Sequence, residues 1–249
     1  MNKLQAAVAA AMLLAGGGMN GAEKVVRYED FGAKGDGKTC DLAALIAAHN
    51  YANEHNLPVR AKDDATYYVS GADQTVIVQT DTDWGTAKFL INDRNLVNHN
   101  AALFQITSKM KPYPVEGLTT LKRGQNKIDL KFPTACMVIV KNANKYQYIR
   151  KGNNQNNGAV QQDVFCVDKD GNVDMNAPII WDFEQITSAE AYPIDEDKLT
   201  VSGGVFTTIA NVTPGKASYI NRNILVMRSN TDVKNVVHRM TGIGNAGWA

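Results

Sequence analysis

His238 and Arg239 stand side by side at the end of an apolar run that begins at Val233. An imidazole that takes a proton, beside a guanidinium that holds negative charge, suits removal of a proton next to a carboxylate. Both are therefore candidate catalytic residues. Successive strand residues point to opposite faces, so they share one groove only if a bend intervenes; otherwise they form a solvated strand end. Asp168-Lys-Asp-Gly-Asn-Val-Asp174 offers several oxygen ligands, which makes calcium the candidate cofactor. The segment departs from the acidic calcium-loop order and has no Glu at its twelfth position, so a hairpin turn at Asp170-Gly171 is the better reading. No other cofactor is indicated. Trp84, Trp181, Tyr67 and Tyr68 are candidates for stacking on sugar rings, or else core residues.

Other motifs exclude more than they offer. Gly32 to Gly37 reads G-x-x-G-x-G, but no Gly-Lys-Ser/Thr closes a phosphate loop and no apolar βαβ unit surrounds it. The 3 cysteines, Cys40, Cys136 and Cys166, form no C-x-x-C pair, and only 4 His are present, so a zinc site has little support. Cys136 and Cys166 lie in strand-like runs, as small hydrophobes or as a disulfide pair. Without Lys3, the remaining 25 Lys and Arg balance 25 Asp and Glu. A neutral chain makes no broad basic field, which argues against nucleic acid as a partner.

The elements that must position these residues follow from periodicity. Lys3 and the short apolar run Ala6–Leu14, then small residues, read as a secretory signal over residues 1–22 and not as a membrane span. A secreted, periplasmic or cell-surface protein is expected. Residues 41–55 carry Leu42, Leu45, Ile46 and His49 at helical spacing amid many Ala. Thr39 or Asp41 is placed to cap this helix, and Asn56-Leu57-Pro58 to end it. His49 and His55 read as polar-face or partly buried residues of that helix, not ligands.

From Pro58 onward, short apolar runs alternate with Gly, Asn, Asp and Pro, predicting many short strands. One helix and many strands exclude a doubly wound sheet and leave a sandwich, a barrel or a β-helix. The strands starting near Leu199 and Ile224 lie about 25 residues apart, which is about one three-strand coil of a parallel β-helix. Residues 23–108 are read as a cap with the first coils, 109–197 as a β-rich insertion or elaborated coils, and 198–249 as further coils.

Asp30-Phe-Gly-Ala-Lys-Gly-Asp-Gly-Lys-Thr39, with Asp41 and Ala43-Ala44-Leu45, resembles the opening of pectate-lyase-superfamily proteins. In that family the segment leads into a helix that caps a right-handed parallel β-helix. Cys40 departs from the usual Asp, and the Gly expected before Tyr67 is missing. Pro178-Ile-Ile-Trp-Asp-Phe183 and Leu199-Thr-Val-Ser-Gly-Gly-Val-Phe206 look like secreted β-helix proteins of the Bacteroides type. The resemblance implies an all-β fold: a right-handed parallel β-helix with an N-terminal capping α-helix, a β-rich insertion and further coils beyond Ala249. It implies a secreted enzyme, lyase or hydrolase, acting on a polysaccharide or oligosaccharide in a lateral groove, or a non-catalytic glycan-binding relative. Asn230-Thr-Asp232 matches by its letters a motif of the family's hydrolases, which makes Asp232 a third catalytic candidate. No Asp-Asp or Gly-His-Gly follows it, and a corner turn explains the triplet equally well.

Overall fold

A computed structural model describes residues 24–70, 73–93, 96–98, 101–147, 158–209 and 223–242. The expected signal segment, residues 1–22, lies outside the described residues. The chain forms two compact units: one from residues up to Thr107 together with Lys198 onward, the other from Ser108–Asp197.

The first unit is built from three parallel sheets. The first sheet is ordered β1 (Val26–Arg27), β3 (Val59–Arg60), β6 (Thr82–Asp83), β13 (Leu199–Ser202), β16 (Thr231–Lys234). The second joins β2 (Asp36–Cys40), β4 (Thr66–Val69), β7 (Lys88–Asn92), β14 (Val205–Ile209) and β17 (Val237–Thr241). The third joins β5 (Val76–Val78), β8 (Phe104–Thr107) and β15 (Ile224–Met227). Every pairing within these sheets is parallel. From β3 onward the chain visits first, second and third sheet in turn, pausing between β8 and β13 for the second unit. Parallel pairing of this kind excludes the antiparallel sandwich that strand lengths alone had left open. The spacing of about 25 residues compared unlike positions: Leu199 sits in the first sheet and pairs with Thr231, whereas Ile224 belongs to the third and pairs with Phe104.

Side chains that alternate inward stack on their equals in the next strand. Tyr67, Phe89 and Phe206 are register partners, with ring centroids 5.3 and 4.7 Å apart along the ladder. Trp84 and Phe104 pack against this column, and all five rings are buried. Each such aromatic contact contributes about 0.5–1.5 kcal/mol beyond burial. Trp84 and Tyr67 are therefore core residues and offer no face to a sugar, whereas Trp181 is 45% exposed and Tyr68 half-buried.

The turn from the first sheet to the second needs a left-handed residue each time: Asp64 (φ 59°), Gly85 (φ 50°), Gly203 (φ 76°) and Asn235 (φ 54°). Asp and Asn tolerate that region because their short polar side chains bond locally.

The helix α1 spans Leu42–His55 and buries Leu42, Ala44, Leu45, Ala48, His49 and Ala52. It stands between β2 and β3, where the third sheet has no strand. Asn53 covers the edge of β5: its Nδ2 donates to the Ile77 carbonyl at 2.8 Å, and its Oδ1 accepts from Gln79 N–H at 2.9 Å. Asp41 holds the N-cap position without a side-chain cap. Its carboxylate instead accepts from Lys34 N–H (2.7 Å) and Gly35 N–H (3.1 Å), pinning the Gly-rich turn before the helix. Asn56 ends α1 in the left-handed region, with its N–H on Ala52 O. His49 is fully buried and not on a polar face, because the Ala-rich helix lies directly on Tyr28.

The second unit is a four-stranded antiparallel sheet, ordered β11 (Ala159–Val167), β10 (Cys136–Gln147), β12 (Ser188–Pro193), β9 (Tyr113–Pro114). Its core holds Val138, Val140, Phe165, Val167 and Phe183. Buried Asp163 accepts from the Ile180 and Trp181 N–H groups (2.9 and 3.1 Å), fixing a segment that alternation alone reads as a strand. Cys136 and Cys166 are free. Cys136 is opposite Val167 and Cys166 opposite Met137, so the two thiols face opposite sides of the sheet and cannot bridge.

Candidate functional site

The outer face of the first sheet gathers more hydrogen-bonding side chains than sequence reasoning had singled out. Val26, Val59, Thr82, Leu199 and Val201 point inward and are buried. Alternation therefore turns Arg27, Arg60, Asp83, Ser202 and Lys234 outward, as one row of register partners across five strands. Along that row Arg60 Nε lies 3.7 Å from Asp83 Oδ2, and Ser202 Oγ donates to Asp83 Oδ1 at 3.2 Å. A second row runs beside it. Thr200 N–H donates to Asp81 Oδ1 at 2.7 Å, and Thr200 is the register partner of Asp232. Asp232 Oδ2 lies 2.9 Å from Lys234 Nζ and 3.3 Å from Lys198 Nζ. Those two ammonium groups hold the Asp232 carboxyl below its usual range. An open groove of about 310 Å³ lies over the β3, β6 and β13 part of these rows, lined by Val25, Pro58, Arg60, Asp81, Asp83, Thr200 and Ser202 among others, and its lining does not reach Asp232, Lys234 or Lys198. Its chemistry is that of paired charges, hydroxyls and a small apolar floor, which suits a ligand rich in hydroxyl groups.

The structure does not bring His238, Arg239 and Asp232 together. His238 is the register partner of Phe206 and continues the inward aromatic column. Its Nε2 accepts from Asn223 Nδ2 at 2.9 Å and lies 3.3 Å from Thr208 Oγ1, a network that assigns the proton to Nδ1. Arg239 is the partner of Thr207 and points out from the second sheet, while Asp232 points out from the first. No bend intervenes between His238 and Arg239, so the expected base-and-clamp pair has no common groove. Asn230 takes a left-handed φ of 47° immediately before β16, so Asn230-Thr-Asp232 is built as a corner and strand start.

The Asp168 loop is likewise occupied by its own backbone. Asp168 Oδ1 accepts from Asp170 and Asn172 N–H (2.8 and 2.9 Å), Asp168 Oδ2 from Asn172 Nδ2 (2.8 Å), and Asp170 pairs with Lys131. Hydrogen bonds from Asn172 hold the Asp168 carboxyl low. Among the described residues no group of three or more His, Cys, Asp or Glu is arranged to hold a metal ion.

The exposed thiol is Cys40, whose Sγ lies 3.2 Å from Ser70 Oγ. Burial pushes it up, but hydrogen bonds from the Ser70 side chain and from the Ser70 and Leu42 N–H groups outweigh that and leave it below the usual thiol range.

Sequence reasoning missed Arg60, Asp81, Asp83, Thr200 and Ser202 because β3 and β6 are two residues long and β13, the partner of β6, lies beyond the whole second unit. The available signal was the alternation of Leu199, Thr200, Val201 and Ser202, which already marks an inward and an outward pair.

Compared with known proteins, the chain matches no family model and no curated protein. No described helix is long and apolar enough to cross a membrane.

Proposed function

We propose that this is a secreted right-handed parallel β-helix protein that takes a polysaccharide along the outer face of its first sheet. The observation that carries the reading is the pair of outward rows, Arg60-Asp83-Ser202-Lys234 and Asp81-Thr200-Asp232, laid across successive parallel strands. A regular ladder of hydrogen-bonding groups at strand spacing, about 4.8 Å, matches a ligand that is itself a repeating polar chain. Carboxylates and guanidinium groups that already hold partners can exchange one hydrogen bond for a sugar hydroxyl at little cost. The opening segment from Asp30 to Thr39, with its likeness to the pectate-lyase superfamily, supports both the β-helix and the carbohydrate.

Binding is the best-supported form of this reading. A glycoside hydrolase needs a carboxylic acid kept protonated, and Asp232 is shifted the opposite way by its two lysines. The lyase reading has only half its chemistry here: Lys198 and Lys234, both charged against Asp232, supply positive charge for an enolate-like intermediate but not the base that takes the proton.

The test is a titration of the full chain with uronate-containing and neutral polysaccharides, followed by product analysis. The expected result is binding that weakens about tenfold in Arg60→Ala and in Asp83→Ala, the loss of one or two charge-assisted hydrogen bonds. Ultraviolet-absorbing unsaturated products select the lyase, new reducing ends alone a hydrolase, and neither product the binding protein. Wild-type affinity in both variants, or no affinity for any glycan, overturns the proposal.

A further inference from the structure

In the second unit, the segment 179–183 is held by a hydrogen bond at every residue. Gly124 N–H donates to Ile179 O at 2.9 Å, and Phe183 pairs both ways with Leu121. Asp182 accepts twice, on its carbonyl from Gln161 Nε2 at 3.0 Å and on Oδ1 from Arg123 N–H at 2.9 Å. Between them, the Ile180 and Trp181 N–H groups both donate to Asp163 Oδ2, while Val164 N–H donates to Asp163 Oδ1 at 2.8 Å. Asp163 and Gln161 are themselves buried. Taking a carboxylate out of water costs several kcal/mol unless hydrogen bonds replace the lost hydration. Here two of those replacement bonds fix the backbone of a residue pair whose side chains stay outside.

What this frame presents is an open ring. Ile179 and Phe183 turn into the core at either end, whereas Ile180 and Trp181 are 49% and 45% exposed. Among the described residues the Trp181 indole makes no ring contact, and its Nε1–H has no acceptor. Trp84 shows the ordinary arrangement: it is buried, and its Nε1–H donates to Tyr28 Oη at 3.0 Å. Polar residues flank Trp181. Asp182 and Glu184 follow it, Lys122 and Arg123 belong to the loop bonded to Asp182, and all four are exposed.

We propose that Trp181 is a stacking platform for one sugar ring of a glycan, a second contact carried by the second unit. The proposal rests on the carbohydrate reading but not on the groove of the first sheet. A pyranose ring has a face of C–H groups and a rim of hydroxyls. It therefore suits a single aromatic face with a free N–H donor and polar neighbours. A protein partner would call for a broader apolar patch, of several hundred Å². Because the backbone under the ring is already fixed, binding orders little that is not ordered beforehand.

The full chain labelled with 5-fluorotryptophan tests this by fluorine NMR, with circular dichroism to confirm that each variant folds. Loss of one resonance in Trp181→Phe assigns the signal of Trp181. The probes are oligogalacturonides and neutral xylo-oligosaccharides. The expected result is that one of them shifts the Trp181 resonance and leaves that of buried Trp84 in place. Trp181→Ala is expected to weaken binding of that probe about tenfold, and Trp181→Phe, which keeps an aromatic face, clearly less. Arg60→Ala separates the two sites, and in it the Trp181 resonance is expected to move still. A glycan that binds in an Arg60-dependent way, with the Trp181 resonance unmoved and Trp181→Ala at wild-type affinity, overturns this proposal and leaves the groove reading standing. A shift at Trp181 with Arg60→Ala and Asp83→Ala both at wild-type affinity supports this site and sinks the groove. No response to either probe overturns it, as does self-association that Trp181→Ala abolishes, which would give the ring to a protein contact.

Discussion

His49 is the residue whose chemistry is most constrained by the fold. Its Nε2 lies 2.9 Å from Tyr28 Oη, which in turn accepts from Trp84 Nε1 at 3.0 Å, while Nδ1 is buried with no partner. Burial pushes the imidazole down to about 3. In the unfolded chain the same ring titrates at about 6.5. Below that pH the unfolded state takes up a proton that the folded state refuses. The folded state therefore has its full advantage above pH 6.5 and loses it as pH falls toward 3, at a slope approaching about 1.4 kcal/mol per pH unit. Urea unfolding at pH 7.5, 5.5 and 4.5 measures this. The His49→Gln variant, which keeps a hydrogen-bonding group but cannot be protonated, is expected to flatten the profile between pH 6.5 and 4.5. Parallel profiles for the two proteins would show that His49 is not the group responsible. Carboxylates held low, such as Asp36 by its bonds from Thr39 and Lys38, act in the same direction but only at lower pH.

At the scale of the element, the corners decide whether strands can stack. A Cβ built on Gly203 would lie 2.6 Å from both the backbone N and O of Gly85, in the neighbouring corner, and φ is +76°. Backbone cannot retreat there without breaking the bond from Gly204 N–H to Gly85 O. Gly124 has nearly the same φ, +69°, but nothing within 4 Å. Gly124→Ala is thus expected to cost only the left-handed penalty of about 1–2 kcal/mol, and Gly203→Ala clearly more. Equal shifts in the unfolding midpoint would refute a role for corner contact. These elements also mark what the sequence discloses. The helix was legible because Leu42, Leu45, Ile46 and an Ala-rich context are a local, periodic signal, and the helix forms at Leu42–His55. The strands β4, β5, β7, β8, β13 and β14 were legible for the same reason. Thr82–Asp83 was not, because two residues have no periodicity; pairing with Val59 and Val201 makes them a strand. Asp41 stands at the N-cap position as expected, but the bonds its carboxylate makes to the Lys34 and Gly35 N–H groups and the full burial of His49 were not legible, because local pattern assigns a position on the helix but not what the next layer brings against it. The outward rows were hidden for a related reason: Asp83 and Ser202 are neighbours only once the chain has left the stack and returned.

Among the described residues the chain departs from its parallel stack once, between Thr107 and Lys198. That excursion changes sheet type, from parallel ladders to the antiparallel order β11-β10-β12-β9. Antiparallel strands need only short connections, so such a sheet can be completed within one continuous segment. It also has a core of its own, in which Phe165 and Phe183 are fully buried and Leu121 N–H and O pair with Phe183. A segment that satisfies its own backbone and buries its own apolar face meets the physical requirement for an independent domain. Ser108–Asp197 expressed alone is therefore expected to unfold in one cooperative transition. Phe183→Ala, which removes a fully buried ring, is expected to destabilise it by about 3–5 kcal/mol. Chemical denaturation followed by circular dichroism reads both. A gradual, non-cooperative loss of β signal in the isolated segment, unaffected by Phe183→Ala, would mean that its core is set by the rest of the chain and that the excursion is an elaborated coil instead of a domain.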